Sequence, residues 1–492
     1  MKRPFRKRMR ARPKGVSAVV LVAALWSGFA LSANAVPQVR SARGTSNRLA
    51  KGTSTLRPPP LSVLKRSPLD ASGYVFIAPK DGQGAHGPEM VDDKGRPVWF
   101  RPGPDVATDF RVQHYLGNPV LTWWQGTGLG SGEPGVDYIA DSSYHVIATV
   151  RAGNGLDADG HEFVLTPQGT ALVTIYHGVP YDLSSLGGPK DGTVIEGVVE
   201  EIDVATGRVL FEWHSLDHVS PAESYAPIQP DEPYDYFHLN AVNVDEDGNL
   251  IISGRHTWTV YKVDRQTGQI LWRLGGKHSD FSLGSGVRFA WQHDPLPAGK
   301  NTIVLFDNGS DGSNQVSPRS RVIWINLDTA AMSATLEKAI SQPEGLSVAS
   351  QGNAQALDNG DTFVGWGQIG RVSEFNPQGK LVFDALLSGG NDTYRGYRFH
   401  WTGQPSGLPT ATAHRTGRRK TTVHAIWNGA TAVARWRILA GRTATHLRAV
   451  RTVAWNGLDT AIEIAGVPKE VQVVALGGAG SVIAKSKPIR AR

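Results

Sequence analysis

The chain contains no cysteine in 492 residues, so no disulfide holds it together. A core large enough to stand without staples is required, and this length supplies one. Long helical periodicities are scarce as well. No glycine-rich phosphate loop and no clear metal motif can be found, so neither a cofactor nor a metal is expected. Net positive charge is missing from the middle of the chain. The net charge is +7 at pH 7, yet residues 1–35 hold eight Lys/Arg and no acid, and residues 410–492 hold fourteen Lys/Arg against three Asp/Glu. The stretch between them is therefore acidic, which argues against nucleic acid as a partner.

What is plentiful points one way. Glycine (56), proline (30) and tryptophan (14) in a chain poor in helical pattern indicate an all-β, turn-rich protein. The N-terminus reads as an export signal over 1–35. A basic region from Lys2 to Lys14 precedes an apolar run, 16–31, and then the small-residue pattern Ser32-Ala33-Asn34-Ala35. The run is short for a membrane span, so cleavage is favoured over a retained anchor, and the location expected is secreted or extracytoplasmic. Residues 36–70, with Arg57-Pro58-Pro59-Pro60, read as a disordered, extended linker.

From 71 to 405 the chain repeats itself. A strand–turn–strand unit, Glu201-Ile202-Asp203-Val204-Ala205-Thr206-Gly207 onward to Trp213, returns as Lys262-Val263-Asp264-Arg265-Gln266-Thr267-Gly268 onward to Trp272. Thr-Gly supplies the positive-φ turn of a hairpin. Fainter echoes run 91–99, 138–146, 324–336 and 373–383, giving six units some 50 to 65 residues apart. Such periods belong to radially repeated four-stranded sheets, so a six-bladed β-propeller is expected. A second unit, interleaved with the first, opens on a polar residue: His161, His238, His293, Gln351 and Gln113-His114. These openings should lie on innermost strands, near the central channel. The basic stretch 410–492, with short alternating strands and a repeated Trp-Asn-Gly at 427–429 and 455–457, reads as a small accessory β-sandwich suited to contact with a cell-wall or membrane surface.

The convergent positions carry the chemistry. His238 and Arg255 are seventeen residues apart, the span of a strand, a tight turn and a strand, so both can reach one mouth of the channel. His293 follows in Gln292-His293-Asp294, and His161 precedes in Gly160-His161-Glu162. Imidazole serves as nucleophile, base or acid, and guanidinium clamps tetrahedral oxyanions in a planar fork. Trp123, Trp124, Trp258 and Trp291 are candidates to flank an aromatic ligand. His177, His214, His218 and His256 are read as surface or structural groups. A metal held by three histidines is a competing reading without support from carboxylate–histidine spacing.

Five motifs taken in order resemble the arylsulfotransferases, in their secreted actinobacterial and fungal branch. They are Asp235-Tyr236-Phe237-His238-Leu239-Asn240-Ala241-Val242, Ile252-Ser253-Gly254-Arg255-His256, Trp272-Arg273-Leu274-Gly275-Gly276, Gln292-His293-Asp294 and Phe306-Asp307-Asn308-Gly309. The resemblance implies a six-bladed propeller that moves a sulfuryl group from an aryl sulfate to a phenol without a nucleotide sulfate donor. It implies that His293 forms a transient sulfohistidine, that Arg255 and His238 hold the sulfate oxygens, and that His161 is the remaining channel histidine. The alternative of another class is a non-enzymatic propeller that binds a protein or glycan at the cell surface. Arg255 speaks against it, because a scaffold gains nothing from an unpaired buried cation. A quinone-dependent dehydrogenase would carry eight blades and a calcium site.

Overall fold

The turn that repeats in the sequence is built the same way each time. Asp203 Oδ1 accepts the Thr206 backbone N–H at 2.8 Å and its hydroxyl at 2.8 Å, while Gly207 (φ 73°) closes the turn onto the Asp203 carbonyl. Asp264, Thr267 and Gly268 (φ 74°) repeat these contacts. Each turn joins the two outer strands of an antiparallel sheet. The computed structural model describes residues 56–130, 134–229 and 231–492, and among them six such sheets follow one another, with a basic two-sheet unit after them.

Blade 2 consists of Val106–Tyr115, Asn118–Gly126, Gly135–Ala140 and Val146–Val150, and blade 3 of Ala158–Leu165, Thr170–Tyr181, Gly192–Asp203 and Val209–His214. Blade 4 is Leu239–Val244, Leu250–Gly254, Thr259–Val263 and Ile270–Gly275. Blade 5 is His293–Pro297, Thr302–Asp307, Arg321–Asp328 and Ser333–Ile340. The seam is closed twice. Blade 1 (Tyr74–Ile77, Glu89–Val91, Pro97–Phe100) takes its innermost strand, Tyr397–Phe399, from the far end of the propeller. Blade 6 (Asn353–Ala356, Thr362–Gly365, Arg371–Phe375, Leu381–Leu387) takes a fifth, outermost strand, Leu61–Lys65, from its beginning. That strand corrects the expected linker, which had run to residue 70. Leu61, buried at 3%, belongs to the core between blades 6 and 1, so this part of the segment is ordered by packing. The expected export signal lies outside the described residues. Among those described, no helix is long and apolar enough to cross a membrane.

Six apolar clusters fill the six gaps between consecutive blades, from Phe76, Trp99, Phe110 and Trp123 between blades 1 and 2 round to Val75, Ile77, Phe363 and Phe383 between blades 6 and 1. Burial of these large side chains is the main favourable term, at about 25 cal/mol per Å² of apolar surface. The two Trp-Asn-Gly repeats have a structural purpose. Gly429 and Gly457 share φ 89°, and both turns dock on Pro97–Phe100, the outermost strand of blade 1. Asn428 exchanges side-chain hydrogen bonds with both backbone groups of Phe100 at 2.9 Å, Gly429 N–H reaches the Val98 carbonyl, and Leu458 N–H reaches that of Pro97. The sandwich thus covers an edge that would otherwise be unpaired. Its sheets (Thr410–Gly417, Lys420–Ile426, Asp459–Ala465; and Arg435–Gly441, Leu447–Ala454, Glu470–Leu476, Val482–Lys485, with Ile489–Arg490) enclose a core around Trp436.

The axis is held by charge. Arg395, fully buried, enters from the segment between blades 6 and 1 and grips Glu162 of blade 3 through both oxygens, at 2.8 and 2.7 Å. The same guanidinium lies 3.3 Å from Asp109 of blade 2 and 3.5 Å from Asp294 of blade 5. Breaking a buried pair by removing one partner leaves uncompensated charge, so Arg395→Ala should lower stability by about 3–5 kcal/mol. Lys420→Ala, at the exposed pair with Glu463, should change it by no more than about 1 kcal/mol. Urea midpoints of the two variants compare these directly, and equal small losses would refute the central role of Arg395.

Candidate functional site

Inner strands of this fold do not run straight. Blades 2, 3, 4 and 5 each carry an irregularity between the first strand and its neighbour, and non-glycine residues with positive φ gather around them: Asp109, His238, Trp291 and Asp294 at 51° or 52°, with Trp258 at 51° and Gln351 at 67° nearby. For bulky side chains this conformation costs about 1–3 kcal/mol each and persists only where packing enforces it. Its effect is to re-aim side chains towards the axis. One expected position is corrected by it: His114 sits exposed at the far end of its strand, and Asp109, at the bulge, is the residue of blade 2 that meets the axis.

His161, His238 and His293 come together. The rings of His161 and His238 lie 5.2 Å apart, edge to face. Tyr394 stands 5.4 Å from His161 and 6.2 Å from His293, and Tyr176 stacks on His161 at 5.1 Å. Arg255 joins them because the first two strands of blade 4 close the seventeen-residue gap, with Arg255 N–H donating to the His238 carbonyl at 3.0 Å.

Each imidazole is held at Nδ1. Asp235 Oδ2 accepts from His238 at 2.5 Å, and Asp159 accepts from His161. Asp235 itself is placed by blade 3, where it pairs with Ile195. For His293 the partner is neutral: Asn308 spends its amide N–H groups on the Val348 and Gln351 carbonyls at 3.0 Å, so its Oδ1 accepts from Nδ1 at 2.8 Å. This leaves Nε2 of His293 as the acceptor, and the Gln351 backbone N–H occupies it at 3.1 Å. Burial, then Arg255, hold His293 and His238 well below the ordinary imidazole value, and both are neutral. The phenols of Tyr176 and Tyr394 are pushed up by burial and stay protonated.

Arg255 is spread over two partners. Nη2 donates to the Ala349 carbonyl and Nη1 to Nε2 of His256, both at 2.8 Å, while His256 Nδ1 donates to the Asp235 carbonyl. Arg255 Nε–H is buried and has no hydrogen-bond partner. A cavity of about 590 Å³ lies against Arg255. Arg255, His256 and Asp235 line it, together with an aromatic wall in which Tyr225 stacks on Trp258 at 3.7 Å and Trp258 meets Trp291 at 4.7 Å. Lys277 and Arg288 lie over Tyr225 and Trp258 at 5.0 and 5.9 Å. The flat faces of this wall match an aromatic ring, and the cation in the lining is Arg255, with the carboxylates of Glu232, Asp235 and Asp311 also around the cavity. His293, 1% exposed, lies beyond the lining.

Two of the four candidate tryptophans, Trp258 and Trp291, line the cavity. Trp123 and Trp124 are buried between blades instead, the latter donating to the Ala158 carbonyl. His256 is the opposite correction: expected as a surface or structural group, it lines the cavity, packs 4.5 Å from His238 and fixes Arg255. Its neighbour Arg255 was the available signal. Asp159, Asp235 and Asn308 also went unassigned, although all three stand two or three residues from a singled-out histidine or inside a quoted motif.

Comparisons with known proteins bear on this site. The family model described as Arylsulfotransferase (ASST) matches residues 111–387, a stretch that contains all four residues singled out in the sequence. No curated protein matches the chain. Among solved structures, a protein of unknown function from Bacteroides caccae is 12% identical at a TM-score of 0.40, covering 67% of this chain and all of its own. A streptogramin B lyase is 11% identical at 0.37, covering 68% of this chain and 90% of its own. A virginiamycin B lyase from Staphylococcus aureus is 8% identical at 0.33, covering 74% of this chain and 94% of its own. Likenesses at this level assign no activity.

The neutrality of His256 has a measurable consequence. Burial pushes its value down to about 3, below the unfolded value of about 6.5. The unfolded chain therefore takes up a proton first as pH falls, so the stability tied to this group is complete above about pH 6.5 and declines below it, by about 2 kcal/mol at pH 5. Denaturant midpoints measured from pH 7.5 to 5 should fall in the wild type and fall less in His256→Gln. Parallel curves would show that His256 is not held neutral.

Proposed function

Because the chain belongs to the arylsulfotransferase family, whose members move sulfuryl groups between phenols, we propose that it works by double displacement through a sulfohistidine at His293, with no nucleotide donor. The observation that carries this reading is the buried, unpartnered Nε–H of Arg255, a residue that lines an aromatic cavity and stands beside the neutral imidazoles of His238, His256 and His293. A sulfuryl oxygen completes that donor. The aryl ring lies against Tyr225, Trp258 and Trp291, and Lys277 and Arg288 draw the anion in. This surface is outside the cell, where an export signal over 1–35 delivers the chain and the basic 410–492 unit meets anionic polymers.

In the first half, the Nε2 lone pair of His293 attacks sulfur. The N–S bond forms, the S–O bond to the ring breaks, and the aryl oxide leaves with that electron pair. The Gln351 N–H must leave Nε2 for this to occur, and a sulfuryl oxygen is the acceptor that receives it. Nδ1–H of His293 stays on Asn308, whose neutral amide lets positive charge develop on the ring without neutralising it. The adduct therefore remains a reactive sulfuryl donor. In the second half, Nε2 of His238, which has a carboxylate behind its Nδ1, takes the proton of the acceptor phenol. The phenol oxygen attacks sulfur and His293 is released. The transition state is loose, with charge on the peripheral oxygens, so positioning and cationic stabilisation do most of the work. An acidic leaving phenol departs without a proton. A more basic one takes up the proton that Nε2 of His238 gained from the acceptor phenol of the preceding turnover.

Two measurements test the roles. After brief exposure to an aryl sulfate and quenching, mass spectrometry should find one added sulfuryl group on the His293 peptide, and His293→Ala should lose both the adduct and phenol release while remaining folded. Turnover by the folded variant, or an adduct on His238, would remove His293 from the role of nucleophile. Arg255→Lys keeps the charge and loses the fork, so kcat/KM should drop by about two to three orders of magnitude. A drop of less than tenfold would mean that Arg255 does not grip the transferring group.

A further inference from the structure

Strand pairing in blade 3 assembles a second histidine cluster, outside the central channel. Antiparallel register sets His177 directly opposite Glu196 and His214 opposite Val198. Side chains two apart on a strand share a face. His177, Glu196 and His214 therefore stand together on one side of the sheet, and Glu200, opposite Glu212, continues the row. Both imidazoles present Nδ1 to the same oxygen, Glu196 Oε1, at 2.9 and 3.0 Å. One ligand atom from each of the three residues can be chosen so that all lie within 4.8 Å of one another. Glu196 is buried, whereas the two imidazoles are partly open to solvent, His177 the more so.

A second observation marks the row as more than a surface ion pair. Glu200 is fully buried, and while its Oε2 accepts the Gly153 N–H at 2.7 Å, its Oε1 has no hydrogen-bond partner. Glu212 accepts from Asn154 at 2.7 Å and faces His214 Nε2 at 3.0 Å. Two carboxylates, Glu196 and Glu212, thus converge on two imidazoles, and Glu200 beside them is pushed up to about 7 by burial and by the neighbouring Glu212 carboxylate.

We propose that His177, Glu196 and His214 bind a divalent transition-metal ion, with zinc the best match. Two imidazoles and one carboxylate form a donor set that zinc takes tetrahedrally, leaving its fourth position for water or Glu212. The nitrogen donors disfavour calcium and magnesium, which prefer oxygen throughout. Bound there, the ion joins the second, third and fourth strands of blade 3. The other group with a similar donor set, Asp235, His238 and His256, is unsuited to an ion, because Arg255 already places a cation on His256 Nε2.

The full-length chain, stripped with a chelator and titrated with zinc in a calorimeter, should take up one equivalent. Cobalt(II) in its place should develop visible d–d absorption of a four- or five-coordinate site. His177→Ala and His214→Ala should each weaken binding at least about tenfold and remove the cobalt bands, while turnover of an aryl sulfate by His214→Ala stays within about twofold of wild type, showing that the propeller is intact. No saturable uptake at micromolar zinc would overturn the proposal. So would binding that survives both substitutions, or binding that is lost instead in His256→Gln, which would place the ion in the channel.

Discussion

A single guanidinium ties the channel together. Arg395 enters from the closing segment and reaches carboxylates on the inner strands of blades 2, 3 and 5 and the Asn240 carbonyl of blade 4, so the blades that carry catalytic candidates share one buried cation. Tyr397 and Arg111 extend the network, donating to Asp109 and Glu162. Apolar packing between neighbouring blades has no preference for their rotation about the axis. A bidentate pair at the centre does have one, because its geometry fails if an inner strand slides. The placing of His161, His238 and His293 around Tyr394 and Arg255 rests on that constraint.

The same burial decides the chemical state of the site. Three imidazoles beside Arg255 cannot afford protonation in so dry an environment, and they stay neutral. The three channel histidines differ in what stands behind them. Aspartates stand behind His161 and His238, whereas an asparagine stands behind His293. A carboxylate behind the ring favours the cationic form, which suits proton traffic. An amide fixes the tautomer without that charge, which suits a nitrogen that forms and then breaks a bond. The roles proposed for the histidines follow from the residues they touch at Nδ1.

Much of this was legible in the sequence because it is local. The Asp203–Gly207 and Asp264–Gly268 turns need only their own residues, and the six hairpin echoes are the outer hairpins of the six blades. His238, Arg255 and His293 stood out through motif and spacing. What was missed depends on distant partners. Asp109 replaced His114 at the axis because a bulge shifts the strand, and no alternation rule registers one extra residue. Tyr394 and Arg395 lie in a segment that reads as a plain connection, and their roles exist only once the ring has closed. Leu61–Lys65 looked like linker because five residues at a blade's rim carry little pattern of their own. His177, Glu196 and His214 are scattered over 38 positions and meet only through register.

The double seam bears on how the chain comes off the ribosome. Leu61–Lys65 is made early, yet its partner Leu381–Leu387 follows some 320 residues later, and blade 1 waits still longer for Tyr397–Phe399. Until then both flanking sheets are incomplete and their edges are open to strangers. The sandwich, made later than either seam, covers the remaining edge at Pro97–Phe100. Completion is therefore all but simultaneous at the two sides of the ring, and an interrupted chain would be sticky at its first blade, not at its broken end.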